Sequence, residues 1–142
     1  MLRYKIIVQY DGTAFYGWQT QKSERTIQGE LELALKKIDD SRSIRVHGSG
    51  RTDTGVHAIG QVAHFDLKTS LDTFQLKDAL NGNLPPDIRI MKCNEVSKDF
   101  HARFSAIRRH YNYRIRTDGF ILDKSYTWNV DSIDKKILND VA

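Results

Sequence analysis

The order in which strand-like and helix-like segments follow one another constrains this chain most. Tyr4–Tyr10 reads as a strand, because Ile6, Ile7 and Val8 are β-formers and Asp11-Gly12 stops the run. Thr26–Ile38 reads as a helix. Ile27, Leu31, Leu35 and Ile38 fall at helical spacing, and Thr26 stands where an N-cap belongs. Ile44–His47 is a short strand that leads into a glycine-rich segment. Gln61–Leu67 is another strand, with Val62, His64 and Asp66 alternating against Ala63, Phe65 and Leu67. A second helix is expected over Asp72–Leu80, ended by the glycine and two prolines of "NGNLPPD". Ile88–Val96 follows as a strand with Ile88, Ile90 and Cys93 on inner faces, and Arg109–Arg116 as a fifth.

The order β-α-β-β-α-β is the split βαβ, or ferredoxin-like, plan. The expected fold is therefore α+β: an antiparallel sheet with both helices on one face and the opposite face open to a partner. RNA-recognition modules use such a face, but a fold by itself does not fix a function.

The chain has 142 residues, enough for one ordinary core or two small lobes. With 28% charged and 10% aromatic residues its composition is that of a folded, globular chain. No apolar run reaches the length of a membrane span, and the N-terminus carries no signal-peptide pattern, so a cytoplasmic address is the default. The single cysteine, Cys93, has no disulfide partner and no CxxC spacing that would build a cysteine zinc site.

The net charge of +4 is only mildly basic, but the cations are unevenly spread. Arg103, Arg108, Arg109, Arg114 and Arg116, with His101 and His110, are interleaved with Phe100, Phe104, Tyr111 and Tyr113. Cations that hold phosphates and flat rings that stack bases are the two components of a surface for single-stranded or loop RNA. A strand with a solvated basic face would have the same composition.

Between the second and third strands lies "GSGRTDTGVHA", Gly48–Ala58. A phosphate-binding loop is disfavoured here. The G-x-x-x-x-G-K-[ST] pattern is absent, no helix follows, and Asp53 would repel a phosphate. A metal site built from His47, Asp53, His57 and His64 lacks a recognisable ligand spacing. The third reading is a carboxylate held for catalysis: Arg51 could pair with Asp53, and the glycines would let a substrate backbone approach closely. An Asx turn closed by Asp53 would explain the same residues without any function.

"GSGRTDTGVHAIGQVAHF" resembles the signature segment of the tRNA pseudouridine synthase A family, with Thr54 where alanine is usual. Three further blocks resemble the same family in the same order: "YDGTAFYGWQ" (Tyr10–Gln19), "LNGNLPPDIRI" (Leu80–Ile90) and "DFHARFSAIRRHYNYRI" (Asp99–Ile115). The resemblance implies an isomerase that converts uridine to pseudouridine in the tRNA anticodon stem-loop, without cofactor or metal. It implies that Asp53 is the catalytic carboxylate, that Tyr111 stacks on the flipped uracil and that Arg51 either holds the space vacated by the base or contacts the RNA. Arg103, Arg108 and Arg109 are the implied phosphate contacts, and the implied partners are tRNA and, in the full-length protein, a second copy. The competing class is a non-catalytic, RNA-binding ferredoxin-like module, which would have no need of the intact R-T-D segment. A nucleotide-binding enzyme built on a phosphate loop is a third class, to be exposed by a nucleotide titration.

Members of that family are nearly twice as long. Residues 1–104 are expected to form a lobe that carries the loop 48–58. Residues 105–142 would then hold a strand and the start of a connection to a second lobe, and the chain alone is expected to be inactive. Ile133, Ile137, Leu138 and Val141 suggest an amphipathic helix from Ser132 onward that breaks off without a cap.

Overall fold

The computed structural model describes residues 1–134 and 136. The chain divides into two compact units, Met1–Arg109 and His110–Ala142. The first is a mixed α/β unit with a four-stranded antiparallel sheet and two helices. Its strands are β1 (Leu2–Tyr10), β2 (His47–Gly48), β3 (Ala58–Leu67) and β4 (Ile88–Val96), and its helices are α1 (Ile27–Ile38) and α2 (Thr73–Asn83). The strand order is β2-β3-β1-β4, and every neighbouring pair is antiparallel.

The period-two pattern of β1 explains its central place. Tyr4, Ile6, Val8 and Tyr10 point into the core, where they meet Ala63, Phe65 and Leu67 of β3 and Ile88, Ile90 and Cys93 of β4. Ile27, Leu31, Ala34 and Leu35 of α1 and Leu76 and Leu80 of α2 join the same cluster. Burial holds the Cys93 thiol up at about 11, so it stays protonated and packs as a small apolar residue.

Local chemistry sets the helix ends. The Thr26 hydroxyl accepts from Gly29 N–H, Glu30 lies in the first turn of α1, and Lys36 and Lys37 lie in the last, as the helix dipole favours. Helix α2 begins with a reciprocal capping box between Asp72 and Gln75. It continues past the expected stop at Leu80 to Asn83. Asn81 exchanges hydrogen bonds with the Ile90 backbone in both directions and Asn83 donates to Ala79 O, so these side chains hold the last turn to β4 and to the helix itself.

Three other expectations are corrected. The strand foreseen at Ile44–His47 is instead the two-residue β2, His47–Gly48. Side chains of α1 satisfy the Val46 backbone in place of a ladder: Val46 N–H donates to Glu32 Oε1 at 3.0 Å and Val46 O accepts from Gln28 Nε2 at 3.0 Å. The sheet face opposite the helices is not open along its whole length. Arg3 donates to Lys98 O and Phe100 O, and Ala102 N–H donates to His64 Nδ1, which draws residues 98–102 across that face and buries His64. Finally, the long strand expected over Arg109–Arg116 is reduced to its last two residues.

Those two residues belong to the second unit. Ile115–Arg116 (β5) pairs in parallel with Trp128–Asn129 (β6). Residues 109–114 have the alternation of a strand but no neighbouring strand among the described residues, so they make no ladder. Arg116 is clamped by Asp118 and Asp123 and lies over the Phe120 ring. Of the helix expected from Ser132, Ile137, Leu138 and Val141 lie outside the described residues.

Candidate active site

The segment between β2 and β3 is pinned at nearly every second residue. Ser49 N–H donates to Val62 O at 2.8 Å, and Gln61 Nε2 donates to Gly50 O at 2.6 Å. Trp18 N–H donates to Thr52 O at 2.9 Å, and the Thr52 hydroxyl bonds the Tyr10 hydroxyl at 2.8 Å. Gly55 N–H donates to Phe15 O, and Val56 N–H closes back on Asp53 O at 3.1 Å. On the far side, Gly12 N–H donates to His57 Nδ1 at 2.9 Å.

The two glycine-bearing motifs of the sequence are thus a single contact. "YDGTAFYGW" packs backbone to backbone against "RTDTGVH", and the glycines permit it. Gly17 has φ +80°, and a Cβ there would stand 2.6 Å from Thr52 O. Gly48 lies under the Trp18 indole, whose ring atoms would be 2.6–2.8 Å from a Cβ.

Asp53 is exposed on this pinned loop. Its backbone is fixed, while its carboxylate is in no ion pair among the described residues. The pairing with Arg51 expected from the sequence is not formed: Arg51 is exposed and in no ion pair there either. An exposed carboxylate on a rigid loop can meet a substrate without first breaking a salt bridge, and a nearby free guanidinium can contact a phosphate or a base edge.

Arg103 and Arg108 are also exposed. Arg109 is engaged inside the protein. Its Nε and Nη2 donate to Ser49 O at 3.0 and 2.8 Å, and Nη2 also reaches Arg103 O at 3.2 Å. This ties the basic segment to the entry of the Asp53 loop. Tyr111 belongs to the second unit and is exposed there. Sequence reasoning missed Thr52, Gln61 and Trp18 as supports of the loop; the one available signal was a glycine beside a tryptophan in "YGW". Of the histidines weighed as ligands, His47 and His64 stack at 4.9 Å with His101 against both, but no group of three or more His, Cys, Asp or Glu among the described residues could hold a metal ion. No helix among them is long and apolar enough to cross a membrane.

The loop thus presents an exposed aspartate two residues from an exposed arginine, braced by a glycine-aromatic motif on an antiparallel sheet. The family model described as tRNA pseudouridine synthase matches residues 6–105, and the chain belongs to that family. The tRNA pseudouridine synthase A of Maridesulfovibrio salexigens is 47% identical over 137 residues, covering 94% of this chain and 50% of the relative. That of Maricaulis maris is 47% identical over 146 residues, covering 100% of this chain and 58% of the relative. That of a Geobacillus species is 52% identical over 114 residues, covering 80% and 46%. The chain spans about half the length of the curated relatives it matches.

Proposed function

We propose that this chain supplies the aspartate-bearing part of a tRNA pseudouridine synthase acting on uridines of the anticodon stem-loop. The observation that carries the reading is the pinned loop that leaves the Asp53 carboxylate exposed and in no ion pair among the described residues. The strand order and antiparallel pairing support a ferredoxin-like plan for the first unit.

The reaction breaks the bond between ribose C1′ and uracil N1, rotates the base, and joins C1′ to C5. The C5 proton is lost and N1 gains one, so composition is unchanged and no redox cofactor is required. The target base leaves its stack to reach Asp53. Asp53 acts either as a nucleophile or as the base of a glycal route, and both fit an exposed carboxylate. Tyr111 stacks on the extruded uracil, and Arg51 contacts the RNA beside it. Arg103 and Arg108 bind phosphates, as does Arg109 through the Nη1 that its internal bonds leave over. The full-length protein works in the cytoplasm as a homodimer, with the RNA body gripped by one copy and the cleft supplied by the other. The 142 residues alone bind tRNA weakly and do not turn it over.

The test is to incubate the full-length protein with unmodified tRNA and map the products by mass spectrometry. Pseudouridine in the anticodon stem-loop is expected. Modification confined to another arm, or binding without modification, would overturn the reading, the latter in favour of an RNA-binding module.

A further inference from the structure

At the far end of the sheet from Tyr10 and the Asp53 loop, the first unit holds a cavity of about 250 Å³ lined by Arg3, Arg42, Arg45, His47, His64 and Asp66. Arg3 and Tyr10 are seven residues apart on β1, about 23 Å at strand rise. The Arg3 end of the cavity is therefore several nucleotides away from a base held at Asp53, while His47 lines the end nearer the loop, and no step of the reaction uses the cavity.

Its charge is positive. Asp66, the one acid in the lining, is neutralised twice: Arg3 grips it through Nε at 2.8 Å and Nη2 at 3.0 Å, and Lys98 Nζ stands 3.5 Å away. Of the nearby acids, Glu32 is spent on Val46 N–H and Gln28, and Asp39 accepts from Ser41 and lies 3.8 Å from Arg42 Nε, which makes no hydrogen bond among the described residues. Arg45 is exposed and in no ion pair among the described residues. The excess is felt by the buried His64 and by His47, which is exposed at the mouth: both are pushed down, desolvation leading and cationic neighbours following, Arg3 among them in each case. A cavity of this size, with the exposed Arg45 guanidinium and the unbonded Arg42 Nε in its lining, suits a tetrahedral dianion or a phosphodiester.

We propose that this cavity is a phosphate-binding subsite that takes a backbone phosphate of the RNA whose uridine lies at Asp53. The proposal rests on the function assigned above for the identity of the RNA, but its own chemistry is that of a phosphate group. Arg45 supplies the free charge, Arg42 turns from Asp39 towards the anion, and the Arg3–Asp66 pair holds the wall.

Two arms test it in the full-length protein. In the first, tRNA affinity is measured against salt for the wild type, Arg45→Ala, Arg45→Lys and, as an equal loss of charge elsewhere, Lys36→Ala. Arg45→Ala is expected to weaken binding by about 3–10-fold near 0.1 M salt and to lower the salt slope by about one, with Arg45→Lys recovering most of both. Equal behaviour of Arg45→Ala and Lys36→Ala would overturn the subsite, since only general charge would then matter. In the second arm, inorganic phosphate is titrated against chloride at matched ionic strength while the ring signals of His47 and His64 are followed by NMR. Shifts confined to these rings and lost in Arg45→Ala are expected; unmoved rings would overturn it. Phosphate shifts without any Arg45 effect on tRNA affinity would mark a site for free phosphate and overturn the RNA assignment. Neither arm depends on turnover, so a failure to make pseudouridine would count against the proposed function alone.

Discussion

Gly17 stands against Thr52 with its backbone at φ +80°, so close that the Thr52 carbonyl oxygen would lie 2.6 Å from any Cβ placed there. The next residue, Trp18, donates its N–H to that same oxygen at 2.9 Å. One carbonyl thus anchors the loop two residues around it, and the Asp53 that follows inherits its position from a contact only glycine can make.

Gly17→Ala should therefore cost about 1–2 kcal/mol for its positive φ alone, and more because the Thr52 backbone must move. Gly55 gives the control: its φ is +81°, yet nothing lies within 4 Å of its Cβ direction. Gly55→Ala should show the conformational cost without displacing the loop. Denaturant unfolding of both variants, with turnover measured beside it in the full-length protein, separates the two effects. If Gly17→Ala unfolds no more easily than Gly55→Ala, the backbone contact does not brace the loop.

Asp53→Asn keeps the shape of the side chain and removes its charge. Turnover should fall at least about 10²-fold, the lower end of what a general acid or base supplies, and further if the carboxylate is the nucleophile. Affinity for tRNA should stay near the wild-type value, because among the described residues the carboxylate is in no ion pair that the change would break. Tritium release from labelled uridine beside a filter-binding curve reads both quantities. A variant that still turns over at the wild-type rate would remove Asp53 from the chemistry.

The sheet and both helices of the first unit were legible in the sequence because each rests on local information: period two in β1, β3 and β4, period 3.6 and a capping residue in α1 and α2. The misreadings arose where a distant group decides. Val46 looks like a strand residue, but its backbone is taken by Glu32 and Gln28. Residues 109–114 alternate like a strand but have no neighbouring strand among the described residues. His64 looks like the solvent side of β3, and no local pattern announces that Ala102 will cover it. At the candidate site, glycines and an aspartate marked the loop, but its contact with residues 12–18 and the Arg109 bonds to Ser49 are long-range and left no periodic trace.

Tyr111 is exposed in the second unit, and its ring and hydroxyl can be separated by substitution. Tyr111→Phe should hold tRNA as well as the wild type, since stacking survives, and should slow turnover if the hydroxyl handles a proton. Tyr111→Ala should in addition lose about 1–3 kcal/mol of stacking. Single-turnover kinetics with saturating protein distinguish the cases. Identical rates for Phe and wild type would reduce Tyr111 to a stacking platform, and unchanged affinity in the Ala variant would remove it from the site.

His64 makes stability depend on pH. Its ring is buried, its Nδ1 accepts from Ala102 N–H at 3.0 Å, and Arg3, His101 and His47 add repulsion that Asp66 only partly offsets. Burial leads these causes in holding the imidazole down at about 4. The unfolded chain takes up a proton near pH 6.5, the folded one only near pH 4, so stability is present above the first value and drains away as pH falls between them. At about 1.4 kcal/mol per unit the loss is roughly 3 kcal/mol by pH 4. Below pH 4 this residue adds nothing further; Asp66, held down at about 2 by the Arg3 hydrogen bonds, then begins to contribute. His64→Asn keeps an acceptor for Ala102 and cannot ionise. It should be less stable than the wild type at pH 7, because the smaller side chain packs less well, but flatter across this window. Denaturant midpoints at half-unit steps from pH 7 to pH 4 give the two curves. Parallel curves would mean that His64 does not couple folding to protons.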